Sequence, residues 1–541
     1  MSMPSRLRLY SRSSPPRNEF FENSSRRWIM NEEERLKERY RKFDPNELQR
    51  VAGRAIGEDH CPFMIKLAEG GFNKVFLLRA DSGREVIARI PTPIAGPAQY
   101  TTASEVATMD FLRVILGMPI PKVLAYSTSS ANPVGAEYII MERIEGVSLA
   151  SRWLSLTTEE VKSVMKQIAQ MEQRVFTYSF PGYGSLYRQK DLQGEKQIPI
   201  PVEDFCIGPA AARQFWHGDR NKTKIDRGPW LSSKDCFTSA ARRETVCILR
   251  HAKPQPRRTF LLPTLDNIEP SEHVSLLSRF LEIASFLIPE TPDHNSPILR
   301  HPDLSLHNIL LEPGSTKIAS IIDWQDAVVF PIFMQAGYPA FCEHDLSQTQ
   351  SLQRPSLPDD FDDMSIEEQT PIKTKFRLDE ANLYYTATTG IYNDIHMSAL
   401  KLPHLGMRQY LYQQTGYPWD ADIINLRAAL VGITTPQVWH AISSVPCPVS
   451  FTDQERQSAR EDSNEWNESE KLLSAIRDHL GVDLEGGTGP ENFQWASHRN
   501  LELRLEMVRQ AEEHEREMCW HNWPFKDDTD MSSPPLHDDD W

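Results

Sequence analysis

Two short apolar runs near the middle of the chain constrain its fold more than any other feature. The first, RHPDLSLHNILL, covers residues 300–311, and the second, IASIIDW, covers residues 318–324. Each run is rich in Leu and Ile, and a polar turn with a glycine, residues 312–317, separates them. Apolar runs bounded by such a turn predict two neighbouring strands.

The predicted hairpin would bring the side chains of Asp303, Asn308 and Asp323 around one point, with His301 beside them. Phosphoryl transfer requires a set of this kind. One carboxylate takes or orients the proton of the attacking hydroxyl, while an amide and a second carboxylate hold magnesium on the nucleotide phosphates. The spacing is also that of protein kinases. Each residue alone could equally be a turn or packing residue, so the assignment depends on its context.

The segment before these runs supplies part of that context. Residues 61–90 contain β-rich runs, and Gly70 and Gly71 lie in a turn where a backbone without Cβ can approach a phosphate closely. Arg89 lies on the next predicted strand, and its guanidinium can hold phosphate oxygens. The alternatives are an ordinary turn and a solvated surface arginine.

Two further segments complete the context. Residues 101–116 predict an amphipathic helix that contains Glu105, although Thr102 and Glu105 would also make a capping box at a helix start. Residues 136–146 predict a buried strand that leaves into a linker, and a plain core strand would look the same. These elements, in this order, favour a kinase-like arrangement over coincidence.

Because Trp324 stands where a protein kinase would have Phe-Gly, the motifs resemble the aminoglycoside phosphotransferase and choline kinase branch of the protein kinase-like fold. The resemblance covers residues 67–442. The chain is also similar to a narrower fungal group, that of altered inheritance of mitochondria protein 9. The resemblance implies an α+β, two-lobed protein kinase-like fold, with a β-rich N-lobe, a mainly helical C-lobe and an appended charged helical C-terminal segment.

The resemblance also implies ATP and Mg²⁺ as cofactors. Asn308 and Asp323 would hold the metal, and Asp303 would position the acceptor hydroxyl. Glu105 would orient Arg89, and the backbone near Met141 would hydrogen-bond the adenine. The residues that the resemblance assigns to the nucleotide are Gly70, Gly71, Arg89, Glu105, Met141 and Glu142.

The implied activity is ATP-dependent transfer of the γ-phosphate to a hydroxyl of a small molecule, since no activation segment like that of protein kinases follows Asp323. Residues 181–270 lack clear periodicity, and they predict either the acceptor pocket or a surface elaboration. The alternative function is a catalytically weak or inactive kinase-like scaffold of mitochondria, which binds nucleotide and acts through its acidic C-terminal helices.

The charge of the chain lies almost entirely at its C-terminal end. Residues 453–541 contain 23 acidic and 9 basic residues, which accounts for most of the net charge of −16. This acidity argues against non-specific nucleic-acid binding and leaves a protein partner of the C-terminal helices open. No apolar run is long enough for an integral membrane segment.

The predicted domains follow from these patterns. The Arg/Ser-rich start and the resemblance to the fungal group predict a mitochondrial location, with the cytoplasm as the alternative. In order, the predicted domains are a basic tail or mitochondrial presequence (1–30), a charged helical lead-in (31–60), the N-lobe (61–145), the C-lobe (146–445) with its insertion (181–270), and an acidic helical segment with a disordered tail (453–541).

Overall fold

The computed structural model describes residues 17–264, 266–343, 354–530 and 532–533. The predicted presequence and the predicted disordered tail therefore lie largely outside the described residues. The described strands are β1 Arg27–Trp28, β2 Phe63–Glu69, β3 Asn73–Arg79, β4 Glu85–Pro91, β5 Val123–Ser127, β6 Tyr138–Glu142, β7 Val147–Ser148, β8 Ser185–Arg188, β9 Ile198–Pro199, β10 Phe205–Gly208, β11 Gln255–Pro256, β12 Asn267–Ile268, β13 Pro297–Leu299, β14 Ile309–Leu311, β15 Ile318–Ile321, β16 Val329–Pro331 and β17 Gly487–Thr488.

The described helices are α1 Glu32–Arg39, α2 Pro45–Ala55, α3 Tyr100–Asp110, α4 Leu149–Arg152, α5 Thr158–Phe176, α6 Ser233–His251, α7 Pro270–Leu287, α8 Ile332–Gln335, α9 Ile366–Tyr392, α10 Asp394–Leu400, α11 Leu405–Thr415, α12 Ile424–Ile433, α13 Pro436–Ile442, α14 Asp453–Leu480, α15 Phe493–Gln510 and α16 Arg516–His521. Within this described part of the chain, no helix is both long and apolar enough to span a membrane.

The antiparallel strands β2, β3 and β4, followed by α3, β5 and β6 and then by a mainly helical remainder, confirm the predicted α+β fold with a β-rich N-lobe and a helical C-lobe. The chain divides into two compact units. The first contains the described residues of 1–95, 129–138 and 468–541, and the second contains 96–128 and 139–467. The predicted domain boundaries stay predictions.

An antiparallel meander of β2, β3 and β4 forms the sheet of the first unit. The turn between β3 and β4 has Gly83 at φ 86°, a conformation that favours glycine. Phe76 and Leu78 on β3 are fully buried, and Phe43 packs edge-on against Phe76 with ring centroids 5.4 Å apart. Aromatic and leucine side chains on one face of β3, with Phe43 packed against them, therefore contribute to this core.

The N-terminal and C-terminal segments meet in the first unit. β1 pairs antiparallel with β17, with Trp28 opposite Gly487. Trp28 is only 2% exposed, and the Arg27 guanidinium lies 3.5 Å from the centre of the Phe493 ring on α15. The C-terminal segment is helical, as predicted. Its pairing with residues 27–28 was not expected, since β1 lies within the range predicted as a basic tail or presequence.

A buried ion cluster connects residues 22–24 to the hairpin of β2 and β3. Lys74 is fully buried; its Nζ donates to Glu69 and, at 3.0 Å, to the Glu22 carbonyl. Lys66 Nζ donates to the same carbonyl at 3.1 Å and to Glu69 Oε2 at 3.2 Å, and the Ser24 amide donates to Glu69 Oε2 at 2.9 Å. Burial opposes ionisation of Glu69, but the bonds from Lys74 and Ser24 outweigh it and lower the pKa of Glu69.

The second unit contains the helical core and the predicted insertion. Residues 181–270 are more regular than expected: β8, β10 and β9 form a small antiparallel sheet, and α6 is 19 residues long. Sequence periodicity missed α6 because a buried charged pair, Arg243 and Glu244, interrupts its apolar face. Both Arg243 and Arg220 donate to Glu244 Oε1 at 2.8 Å, which compensates the buried carboxylate.

Replacing Glu69, the acidic residue of the buried cluster, tests how much this cluster stabilises the folded protein. We expect Glu69→Gln to lower the free energy of unfolding by about 3 kcal/mol, because Lys74 would keep a buried charge without a counterion. Urea denaturation of the full chain measures this. The matched control is Glu468→Gln, which removes a carboxylate that is 71% exposed and pairs with Lys471, and which should cost less than about 1 kcal/mol.

The effect of Glu69→Gln should also depend on pH. Since the pKa of Glu69 is lower in the folded protein than in the unfolded chain, its ion pairs contribute fully above the unfolded-state pKa. That contribution is lost as the pH falls through the folded-state pKa, so the wild type and the variant should converge in acid. A difference that stays constant from neutral to acidic pH would contradict this account.

Candidate active site

The predicted hairpin is present. β14 pairs antiparallel with β15, and the Glu312 amide donates to the Lys317 carbonyl at 2.9 Å to close the turn. β7 pairs with the other edge of β14. Strand structure begins only at Ile309, so residues 300–308 form a loop rather than the first part of a strand. Three of the candidate side chains lie on this loop, and Asp323 follows β15.

His301 joins the loop to the end of β15. The Asp303 amide donates to His301 Nδ1 at 3.1 Å, and His301 Nε2 donates to the Ile322 carbonyl at 2.9 Å. These two bonds require the neutral ring with its proton on Nε2. Burial lowers the pKa of His301, which favours this neutral form, and the ring packs edge-on against Trp324 at 4.5 Å. His301 therefore supports the loop.

Asn308 completes the frame. Its Nδ2 donates to the Asp303 carbonyl at 2.9 Å, and its own carbonyl accepts from the Ile322 amide at 3.0 Å. The amide nitrogen is thus occupied, and Oδ1 is the atom that can bind a cation. Asp323 follows with φ 67°, a left-handed conformation that is uncommon outside glycine and often marks functional positions. Asp303 and Asp323 are both exposed, so their carboxylates are accessible.

A buried network holds the start of the loop. Arg300 Nε donates to Glu172 Oε1 on α5 at 3.2 Å, and its terminal nitrogens donate to the carbonyls of Gln335 and Gly337 at 2.7 and 2.6 Å. The Tyr385 hydroxyl on α9 donates to the other oxygen of Glu172. Burial disfavours the charge of Arg300, but the interactions with Glu172 and Tyr385 together outweigh it and raise the pKa of Arg300.

Sequence reasoning missed Glu172 and Tyr385. Glu172 lies on α5, and a single acidic residue on an amphipathic helix usually faces solvent. Its partner Arg300 is 128 positions further along the chain. Within this network, only the position of Arg300, directly before the His301 to Asp303 motif, indicated a place near the candidate site.

The nucleotide residues predicted in the first unit lie on the sheet. Gly70 and Gly71 are exposed in the turn between β2 and β3, and a Cβ at either would meet nothing within 4 Å. Neither has a left-handed φ. Nothing described within the chain therefore requires glycine there, and the role of Gly70 and Gly71 at the nucleotide stays a prediction. Arg89 on β4 is 7% exposed, so it is not the solvated surface residue of the alternative interpretation.

Glu105 lies inside α3 and is 3% exposed. The helix begins at Tyr100 after Gln99, so Thr102 is already helical and the alternative of a capping box between Thr102 and Glu105 is wrong. The expected pairing of Glu105 with Arg89 stays a prediction.

Met141 and Glu142 end β6. Met141 is buried, and the Glu142 amide donates to the Lys122 carbonyl at 2.9 Å. Glu142 Oε2 accepts from the Lys122 amide at 3.1 Å and lies 3.5 Å from an Arg113 nitrogen. The backbone amide of Glu142 is thus occupied, so a contact from this residue to adenine would use its carbonyl. Their role at the nucleotide stays a prediction.

The donor atoms of the predicted metal pair suit magnesium. Asn308 and Asp323 offer an amide oxygen and a carboxylate, and Mg²⁺ in nucleotide sites typically uses one or two such protein ligands together with water and phosphate oxygens. Among the described residues, no group of three or more His, Cys, Asp or Glu could hold a metal ion. The predicted pair contains one carboxylate and one amide, so it is a different kind of site.

Comparison with known proteins identifies relatives of the whole chain. No family model matches. The chain is 64% identical over 507 residues to a subtelomeric hrmA-associated cluster protein of Aspergillus fumigatus, covering 88% of this chain and 99% of the relative. It is 24% identical over 467 residues to altered inheritance of mitochondria protein 9 of Lachancea thermotolerans, covering 79% of this chain and 72% of that relative. The names of these relatives in Lachancea thermotolerans and Zygosaccharomyces rouxii describe them as mitochondrial, and the mitochondrial location of this chain stays a prediction.

A solved structure of the aminoglycoside phosphotransferase APH(2")-IIa, in a ternary complex with streptomycin and ATP, is 14% identical to the chain. It covers 72% of this chain and 96% of its own, with a TM-score of 0.36.

The Glu172 network makes a testable prediction. We expect Glu172→Gln to lower the free energy of unfolding by about 3 kcal/mol, because Arg300 would keep a buried charge without its counterion. Tyr385→Phe removes one hydrogen bond to the same carboxylate and should cost about 1 kcal/mol. Chemical denaturation of the full chain measures both. Glu159→Gln, at a carboxylate 79% exposed on the same helix, is the control, and an equal effect of Glu172→Gln and Glu159→Gln would contradict the network's role.

Proposed function

The chain belongs to the fungal family that includes the subtelomeric hrmA-associated cluster protein and altered inheritance of mitochondria protein 9, and we propose that it is a phosphotransferase that moves the γ-phosphate of ATP to a hydroxyl of a small molecule. One observation carries the proposal. His301 and Asn308 connect the backbone of Asp303 to that of Ile322, the residue before Asp323, through four hydrogen bonds of 2.9 to 3.1 Å.

Asp303 is the proposed catalytic residue. Its amide and carbonyl are both engaged, by His301 and Asn308, so its backbone position is fixed. Its exposed carboxylate is then available to orient an acceptor hydroxyl and to take its proton. His301 cannot serve as the base in this arrangement, because its Nδ1 already accepts the Asp303 amide and its Nε2 carries the proton. The frame thus supports a separate proposed role for each residue.

Asn308 and Asp323 would hold magnesium, which when bound neutralises charge on the nucleotide phosphates. The bond from Asn308 Nδ2 to the Asp303 carbonyl fixes which end of the amide is available. The left-handed backbone at Asp323 supports the same assignment, since strained conformations persist where a side chain must be aimed. We also propose contacts to the nucleotide from Gly70, Gly71, Arg89, Glu105, Met141 and Glu142.

The acceptor is proposed to be a small molecule with a hydroxyl group. Residues 181–270 line a cavity of about 440 Å³, and they also pack on α3: Trp216 stacks on Tyr100 at 4.9 Å, and Arg188 pairs with Asp110 at 2.7 Å. This insertion therefore stabilises α3, the helix that carries Glu105. A protein partner for the acidic C-terminal helices is a further proposal.

Replacing the proposed base tests the function. We expect Asp303→Asn to lower phosphate transfer by about 10²- to 10⁴-fold, because the amide cannot accept the proton of the hydroxyl. The full chain is incubated with γ-labelled ATP, magnesium and a fungal metabolite extract, and labelled small molecules are separated and counted. His307→Gln, an exposed residue of the same loop, is the control and should transfer normally.

Nucleotide binding distinguishes the proposal from the scaffold alternative. Asp303→Asn should keep the magnesium-dependent thermal shift with ATP, whereas Asp323→Ala should lose it. Normal transfer by Asp303→Asn would contradict the catalytic assignment. A wild type that shows the thermal shift without any transfer to the extract would favour the nucleotide-binding scaffold.

A further inference from the structure

A basic pocket of about 520 Å³ lies on the second unit, away from the loop that carries Asp303. It opens between the residues that follow α3, one face of α5 and the turn between β14 and β15. Its volume is within the range of small-molecule sites. The lining residues that carry the argument are Arg113, Arg174, Lys317, Gln167, Met118 and Met171.

The pocket is positively charged. Its three cations come from three different elements, and no acidic side chain is among its lining residues in this described part of the chain. Arg113 has an acidic neighbour at 3.5 Å and Lys317 one at 2.5 Å, but both pairs are substantially exposed to solvent. Exposed pairs of this kind contribute little, so they do not remove the cations from use. Arg174 donates to the carbonyl of Gly117, another lining residue, at 3.3 Å, which holds its guanidinium at the pocket wall.

The pocket walls are held in place. Residues Phe111–Ile115 continue α3 as a π-helix, a rare form that is frequent at functional sites, and the chain then turns at Gly117 with φ 62°. Arg113 is fixed by a bond of 2.5 Å to the Ile120 carbonyl. Gln167 donates to the Thr316 carbonyl at 2.9 Å and accepts from the Ile318 amide at 3.0 Å, which fixes the hairpin turn against α5.

The side chains that line the pocket indicate the chemical class of its ligand. Two arginines and a lysine around one opening suit a phosphate group, since guanidinium forks bind its oxygens in pairs. Met118 and Met171 give an adaptable apolar floor for the rest of a molecule. We propose that this pocket binds a soluble small molecule that carries a phosphate group with at least two negative charges.

This site is distinct from the proposed phosphotransfer site. Lys317 lies directly before β15 and Asp323 lies two residues after it, at most about 20 Å apart, and no residue of the loop 300–308 lines the pocket. The inference depends only on the pocket and its charges, so it stands whether or not the chain transfers phosphate.

Titration of the full chain with inorganic pyrophosphate, in the absence of magnesium and followed by calorimetry, tests the proposal. We expect saturable binding by the wild type and a loss of affinity of about tenfold or more in Arg174→Gln, because a charge-assisted contact is removed. Arg174 is exposed, so the variant should keep the melting temperature of the wild type. Lys162→Gln, an exposed cation on the same helix outside the pocket, should bind as the wild type does.

Asp323→Ala separates this pocket from the proposed nucleotide site and should bind pyrophosphate normally. The proposal is overturned by equal affinity of Arg174→Gln and wild type, by absence of saturable binding, or by loss of binding in Asp323→Ala. Binding to vesicles that contain phosphatidic acid, without binding of pyrophosphate, would overturn the assignment to a soluble ligand.

Discussion

The two hydrogen bonds of His301 are the constraint on which the candidate site depends. They connect the loop at Asp303 to the backbone at Ile322, one residue before Asp323. Without them, the two carboxylates would be connected only through the bonds of Asn308 and the pairing of β14 with β15. Because burial lowers the pKa of His301, the ring stays neutral and keeps one donor and one acceptor, which is the arrangement that both partners require.

The residues next to the loop and the hairpin hold this hydrogen-bonded frame in place. Arg300, the residue before His301, is anchored by Glu172 and by two backbone carbonyls. On the other side, a Cβ at Gly146 would lie 3.0 Å from the Leu310 Cβ, so the linker before β7 packs closely on the hairpin because it has no side chain there. A buried charge and a close backbone contact thus position a loop whose functional side chains face solvent. A preorganised site requires this combination of a fixed backbone and accessible side chains.

Much of this arrangement could be predicted from sequence because it is local. The hairpin of β14 and β15, the glycine turn before β3 and the helix that contains Glu105 all follow from patterns within about 20 residues. The pairing of β1 with β17 could not be predicted, since each strand has two residues and they meet across the length of the chain. Lys74 and Glu172 were missed for another reason: charged residues are normally exposed, and only distant partners make their burial possible.

The central claim is that Asn308 and Asp323, held beside Asp303 by the His301 frame, form a metal and nucleotide site. Electron paramagnetic resonance of Mn²⁺, used in place of Mg²⁺ with ATP and the full chain, tests it most directly. The account predicts that Mn²⁺ bound in the presence of ATP is lost or strongly weakened in Asn308→Ala and in Asp323→Ala, while His307→Gln binds as the wild type does. Equal binding in all four proteins would contradict it.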